Sequence, residues 1–425
     1  MRNRAGPAFP LFACHDCGLI HRVTGLTDGT TAVCTRCGGV LFRHREDSIE
    51  RALALNLAAL LLFGVANTFP LMSLRLGGRE QATTLWRGVT ALHETGMTGL
   101  AALVFFVAIL VPLLEIGGSI AILATVRAGR RPPWLAPPFR RIEALRPWAM
   151  SEIYLLGLIV AWVKLRDLAS IELDVALLAL VAMIVVMVWA AAVFEPHEVW
   201  ERIAPQTRAV PDEAIDRAAF LVCHGCAQVV RPTTGRDGPD HASCPRCGAA
   251  LHHRKPDSLT RTTALLIAST ILYVPANLYP IMTVISLGKG HPDTILSGVV
   301  TLIAVGMWPV ALLVFFASIT VPVLKLVGLT YLLVSVRRRS TRRRRDRTVM
   351  YRLIEFVGRW SMVDIFMISI LAALVSLERI ATIVPGLGAA AFATVGVLTM
   401  LASEAFDPRL IWDAREGHDA DRDRA

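Results

Sequence analysis

Eight cysteines carry the clearest chemistry in the chain. They fall into four C-x-x-C pairs: Cys14 with Cys17, Cys34 with Cys37, Cys223 with Cys226, and Cys244 with Cys247. Each such turn presents two thiolates to one ion. Two turns about 16–17 residues apart complete a tetrahedron, which is the spacing of a four-cysteine zinc ribbon. Gly18, Gly38 and Gly248 follow their pairs, where a positive φ lets backbone N–H groups approach sulfur. Thiolate fills all four positions, so nothing is left for a substrate and the expected role is structural. Zinc is the expected ion, and a rubredoxin-like single iron uses the same ligands. Disulfides are disfavoured if the modules face a reducing cytoplasm. His15, His44, His224, His252 and His253 lie near the pairs, but each tetrahedron is already full.

A second set of candidates interrupts apolar sequence: Glu115, Glu152, Lys325 and Asp364. An ionisable group inside a membrane span is costly and signals a function or a fixed partner. Lysine is rare here, with only positions 164, 255, 289 and 325 among 44 basic residues. Arginine cannot usefully lose its proton, whereas a desolvated lysine can. Lys325 lies roughly 16 Å from the end of its helix and Asp364 roughly 8 Å into the next, at 1.5 Å per residue. A Lys325–Asp364 pair is therefore within reach. Ser361, Ser318 and Thr399 are available to extend it into a hydrogen-bonded relay, and a static salt bridge between helices is the competing reading.

These residues need a scaffold, and composition names it. Apolar residues make up 54% of 425 and charged residues 18%, which is more apolar and less charged than a typical soluble domain. Uncharged runs cover 52–74, 95–114, 175–194, 262–288, 294–324 and 380–403. Runs 148–163 and 360–377 hold one acid each. About 20 apolar residues cross a bilayer as helix, so eight spans are expected, the third and seventh being the shortest. The net charge of +10 raises two possibilities, a nucleic-acid face or one side of a membrane. Segments 127–147 and 337–359 concentrate the arginines, and the positive-inside rule makes them cytoplasmic. Eight spans then put both termini on that side, and no nucleic-acid partner is expected. Cys14 to Cys17 precede any apolar stretch, so the start does not read as a signal peptide.

The chain is written twice. Asn67, Phe69 and Pro70 recur as Asn277, Tyr279 and Pro280 at an offset of 210, as do Asp47-Ser48 and Asp257-Ser258. Trp148-Ala-Met150 recurs as Trp360-Ser-Met362 at an offset of 212, as does Phe194-Glu195-Pro196 as Phe406-Asp407-Pro408. Glu115 and Lys325 are equivalent, as are Glu152 and Asp364. Four spans per copy is an even number, which predicts parallel repeats related by an axis along the membrane normal. The expected organisation is a ribbon at 11–46, a four-helix membrane domain at 47–200, a second ribbon at 220–255, a second four-helix domain at 256–412 and a disordered tail at 413–425. Pro112, Pro322 and the two Asn-x-x-Pro elements are expected to free carbonyls within helices, suiting kinks or a lined cavity.

Two zinc ribbons, each followed by four spans with Asn-x-x-Pro, Trp-x-Met and Phe-[Asp/Glu]-Pro landmarks, resemble the paraquat-inducible protein A family over about residues 11–412. The resemblance implies an inner-membrane partner of a periplasmic MCE-domain protein that moves phospholipid between two bacterial membranes. It implies an all-α, tetraspanin-like arrangement of each four-helix unit. It also implies a polar network in the second membrane domain, where Lys325, Asp364, Ser361, Ser318 and Thr399 fall. Glu115 and Glu152 depart from that network in the first copy. No G-x4-G-K-[ST] motif is visible, so energy would come from an ion gradient or a separate ATPase. A redox protein with one-iron centres and a passive anchor for a periplasmic partner remain competing readings. No catalytic residue is expected.

Overall fold

The computed structural model describes residues 11–22, 29–43, 45, 47–76, 79–130, 132–165, 170–205, 220–230, 243–286, 289–374 and 381–413. His44 and the tail beyond Asp413 lie outside the described residues. Eight segments are long and apolar enough to cross a membrane: Ser48–Thr68, Thr98–Arg127, Ala136–Val163, Val175–Val193, Ser258–Leu278, Trp308–Arg337, Arg344–Leu374 and Leu387–Ala405. The first half contains α1 (Ser48–Thr68), α2 (Leu85–Glu94), α3 (Thr98–Phe105), α4 (Val111–Arg127), α5 (Ala136–Leu145), α6 (Ser151–Leu165), α7 (Val175–Val193) and α8 (Pro196–Ile203). The second contains α9 (Ser258–Leu278), α10 (Ile295–Ala304), α11 (Trp308–Phe315), α12 (Val321–Arg337), α13 (Arg344–Gly358), α14 (Val363–Leu374) and α15 (Leu387–Ala405).

The third and seventh spans are longer than their uncharged cores. α5 and α13 are amphipathic and precede the apolar runs. α13 buries Arg347, Thr348, Tyr351 and Ile354 on one face, so a segment that reads as a basic loop is helix. Short 3-10 turns, Arg146–Trp148 and Arg359–Met362, join these helices to α6 and α14.

Several uncharged runs overshoot their helices, and the excess corrects the all-α expectation. Pro70 and Pro280 stop α1 and α9 because proline has no N–H to continue the ladder. Asn67 and Asn277 each donate Nδ2 to a carbonyl four residues back, at 2.8 Å. The Asn-x-x-Pro elements thus terminate helices rather than kink them. Beyond the stop the chain is extended. Met72–Leu76 pairs antiparallel with Arg79–Thr83 and Ser170–Leu173. Met282–Ser286 pairs likewise with Lys289–Asp293 and Ala381–Pro385. Each half therefore carries a three-stranded sheet at the end of the bundle opposite its ribbon.

The interior prolines do perturb their helices. Pro322 cannot donate to the Ser318 carbonyl, and the turn Phe316–Thr320 widens to π geometry, with Val321 N–H reaching Phe316 O. Phe106–Leu110 before Pro112 does the same. In the second half Tyr273 donates its hydroxyl to the loosened Ile319 carbonyl at 3.4 Å.

Within each half, α1 packs on α4 and α7, and α9 packs on α12 and α15. Gly118 on α4 and Gly328 on α12 receive the side chains of Ile142 and Ile354, the same contact twice. The halves meet where α6 lies against α14, and all twelve residues of α14 are buried. Gly157 makes that approach possible: a Cβ there would stand 2.8 Å from Phe366 Cβ and 3.0 Å from Met367 N. Gly157→Val is expected to cost about 1–3 kcal/mol by overpacking. Thermal unfolding in detergent checks it, and an unchanged midpoint would contradict close packing at this seam.

Candidate metal centres and buried polar network

Each ribbon is built from short hairpins whose turns carry the cysteines. Leu11–Ala13 pairs with Ile20–Arg22, and Thr31–Val33 with Val40–Arg43. In the second ribbon Leu221–Val222 pairs with Val229–Val230, and Ser243 bridges Ala250. Gly18, Gly38 and Gly248 have φ near +70°, as their place in the knuckles requires; at the Cys223–Cys226 knuckle Ala227 takes φ 54° without glycine's freedom. Gly18 N–H and Gly38 N–H turn back to the carbonyls of Cys14 and Cys34 at 2.9 Å.

The sulfurs converge. Cys14, Cys17, Cys34 and Cys37 lie within 4.8 Å of one another, as do Cys223, Cys226, Cys244 and Cys247. All eight are buried free thiols. Sγ–Sγ separations of 3.4 Å for Cys14–Cys37 and 3.5 Å for Cys17–Cys34 are far longer than a disulfide. They approach the roughly 3.8 Å edge of a tetrahedron with 2.3 Å metal–sulfur bonds. Hydrogen bonding with Cys14 holds the Cys37 thiol far below its ordinary value, while the separate contact of Cys17 with Cys14 pushes the Cys17 thiol far above it. Cys247 and Cys226 divide in the same way around Cys223. Four sulfurs this close share charge badly without a cation, so the donor set fits one metal ion per ribbon.

The ribbons sit in exchanged seats. The first ribbon precedes the first membrane half but buries its cysteines with Tyr351, Ile354, Phe406 and Trp412 of the second. The second ribbon packs on Phe139, Ile142, Val199 and Trp200 of the first. Equivalent residues make both seats. Arg352 reaches Asp16 Oδ2 and Cys37 Sγ, the latter at 3.2 Å, and Arg140 donates to the Cys247 carbonyl at 3.1 Å. Arg36 lies 4.4 Å over Trp412 and Arg246 lies 6.0 Å over Trp200. Burial disfavours the Asp16 carboxylate, but His15 and Arg352 outweigh it and hold its carboxyl below the usual range. The first ribbon also touches the first half, where Phe12 and Phe42 meet His197 of α8. Arg352→Gln is expected to speed loss of the first ribbon's metal to a chelator by about 10-fold, the low end of such outer-shell effects. Equal release from both ribbons in a metal-release time course would contradict this.

The polar network assembles only in part. Lys325 is buried on α12 and donates Nζ to Gly358 O at 3.0 Å and to Thr399 Oγ1 at 2.7 Å. Ser361 donates to the same Gly358 carbonyl at 3.0 Å, and Thr399 to Gly396 O at 3.0 Å. Lys325, Ser361 and Thr399 thus meet around one carbonyl. The anticipated Lys325–Asp364 ion pair does not occur among the described ion pairs; Asp364 is buried at the start of α14. Ser318 is fully buried in the π turn, and its hydroxyl finds no hydrogen-bond partner among the described residues.

The first copy inverts the arrangement. Glu115, equivalent to Lys325, pairs with Arg146 at 3.5 Å, and Arg146 is equivalent to Gly358. Glu152 pairs with Arg359 of the other half at 3.1 Å. Gly358 therefore replaces a basic side chain and leaves a bare carbonyl for the lysine. A Cβ at this position would stand 3.3 Å from Lys325 Nζ. Gly358 and Gly396 were not among the candidates read from the sequence. The exchange of arginine for glycine at the 212-residue offset was the available signal.

Eight apolar helices, two four-cysteine centres and a buried lysine network define a multi-pass membrane protein with metal-binding modules. The sequence pattern of the family called Paraquat-inducible protein A matches residues 49–204 and again 259–416, and the chain belongs to that family. Intermembrane transport protein PqiA of Escherichia coli K12 is 33% identical over 405 residues, covering 94% of this chain and 95% of that protein. Lipophilic envelope-spanning tunnel protein A of the same organism is 32% identical over 408 residues, covering 96% and 92%. A probable intermembrane transport protein of Haemophilus influenzae is 28% identical over 416 residues, covering 96% of each chain. No solved structure matches.

Proposed function

We propose that the protein is the inner-membrane component of a system that moves phospholipid between the two membranes of the bacterial envelope. The names of full-length relatives support this, since they describe intermembrane transport and an envelope-spanning tunnel. The two halves act as parallel, tetraspanin-like repeats with cytoplasmic ribbons, and an MCE-domain partner meets the opposite, sheet-bearing end. Zinc holds each ribbon. The protein carries no catalytic site of its own.

The single observation behind an active role is Lys325, a fully buried amine held by neutral acceptors rather than by a carboxylate among the described ion pairs. A lysine so placed can change protonation state without breaking an ion pair. We read it, with Thr399, Ser361, Asp364 and Ser318, as a proton relay coupled to lipid movement. Thr399→Val keeps the shape of the site and removes the oxygen that accepts from the amine. It is expected to slow transfer of a fluorescent phospholipid from proteoliposomes to acceptor vesicles by about 10-fold, one missing hydrogen bond to a charged group being worth about 1.5 kcal/mol. Normal transfer with normal protein levels would instead support a passive anchor.

A further inference from the structure

A cavity of about 710 Å³ lies between the halves at the ribbon end. It is lined by equivalent residues from α5 and α13: Arg140 with Arg352, and Glu143 with Glu355. His15 and His224 add one residue from each ribbon. Gly358, Ser403 and Met400 complete the side nearest the polar network. Gly358 is the residue whose carbonyl holds the Lys325 amine, and it has no side chain to shield that amine. A single glycine therefore stands between a polar cavity and the buried lysine.

The cations around this cavity are already engaged. Arg140 and Arg352 hold the ribbons. Arg146 pairs with Glu115 and Glu143, and Arg359 with Glu152. Lys255 donates to the carbonyls of Glu404 and Phe406, and Tyr351 donates to that of Ser403. The acids differ. Glu355 and Glu404 are exposed, and among the described residues no hydrogen bond or ion pair engages either carboxylate. Occupied cations and free acids do not make an anion site. A polar space of this size holds water. Glu355 precedes Gly358 by three residues, roughly 4.5 Å along the helix.

We propose that this cavity is the aqueous entrance by which protons reach Lys325 from the ribbon side, with Glu355 as the carboxylate that passes them on. The proposal rests on the reading of Lys325 as a proton carrier. Water in the cavity delivers a proton to the Glu355 carboxylate. The resulting carboxylic acid releases it through water to the neutral Lys325 amine, which becomes ammonium while the carboxylate is restored.

Two measurements on the full chain in oriented proteoliposomes test it. A charged, membrane-impermeant thiol reagent added at the ribbon face is expected to label Ser403→Cys above the wild-type background. Ser369→Cys, buried within α14, is the unlabelled reference. Proton flux under an imposed gradient, read with a trapped dye, is expected to fall about 10-fold in Glu355→Gln. It should recover in part in Glu355→Asp and remain unchanged in Glu198→Gln, which lies in the exposed Arg202 pair on α8. An unlabelled Ser403→Cys, or wild-type flux in Glu355→Gln, overturns the entrance while leaving the relay intact. Wild-type flux in a Lys325→Met protein overturns the relay, and the entrance falls with it.

Discussion

Lys325→Met is expected to slow lipid transfer severely while leaving the protein folded. The replacement keeps the length and volume of the stem and removes the buried amine. Its acceptors are not stranded, because Ser361 also donates to Gly358 O and Thr399 donates to Gly396 O. Exchanging a buried charge for a well-packed apolar group is often neutral or stabilising. The unfolding midpoint should therefore stay within a few degrees of wild type. Transfer should fall about 100-fold, the lower end of what a positioned proton-transfer group contributes. Lys325→Arg separates the alternatives. It retains the charge but cannot release a proton at working pH. A merely structural cation would tolerate arginine at least partly, whereas a relay would not. Full transfer in the arginine variant would end the relay reading.

The second large effect concerns the metal. Cys37→Ser removes one ligand of four and also the sulfur that Arg352 touches. Structural zinc sites contribute on the order of 10 kcal/mol to folding, and a ribbon of a few short hairpins has little else to hold it. The variant should bind one metal per chain instead of two, measured by elemental analysis. Residues 11–43 should then become cleavable by protease. Because the seat of this ribbon belongs to the second half, Trp412 and Tyr351 should become exposed, seen as a red-shifted tryptophan emission. Full occupancy and wild-type protease resistance in Cys37→Ser would refute the four-cysteine assignment. The same elemental analysis distinguishes zinc from iron and so disposes of the redox alternative one way or the other.

The parts of this molecule legible in its sequence are those set by local spacing. Cysteine pairs fix the knuckles because a C-x-x-C turn determines its own geometry. The spans are legible because a bilayer demands about 20 apolar residues whatever the fold. The sheets were hidden for the same reason: Leu71 to Leu74 continue an uncharged run, and only Pro70 marks the change from helix to strand. The lysine site was half visible. Residue type and repeat equivalence pointed to Lys325, and Thr399 was available as a hydroxyl in a neighbouring span. The distance argument then favoured Asp364, because a carboxylate is the obvious partner and a glycine carbonyl is not visible in sequence. The exchanged seats were beyond reach. Asp16 and Arg352 are 336 residues apart, and nothing local to either announces the other.

That exchange has a consequence for how such a chain arose. Docking contacts of a ribbon on the opposite half recur across the repeat: Arg36 over Trp412 matches Arg246 over Trp200, and Arg352 on the first ribbon matches Arg140 on the second. A chain of half the length, associating as a pair of identical copies, would satisfy the same set by trading ribbons, as domain-swapped dimers do. Joining the copies end to end would make the trade intramolecular and raise its effective concentration without a new contact. It would also free the copies to diverge, so that one could keep Glu115 with Arg146 while the other acquired Lys325 beside Gly358. On this view the asymmetry around Lys325 is a product of fusion. Neither half expressed alone should retain its own ribbon folded against itself.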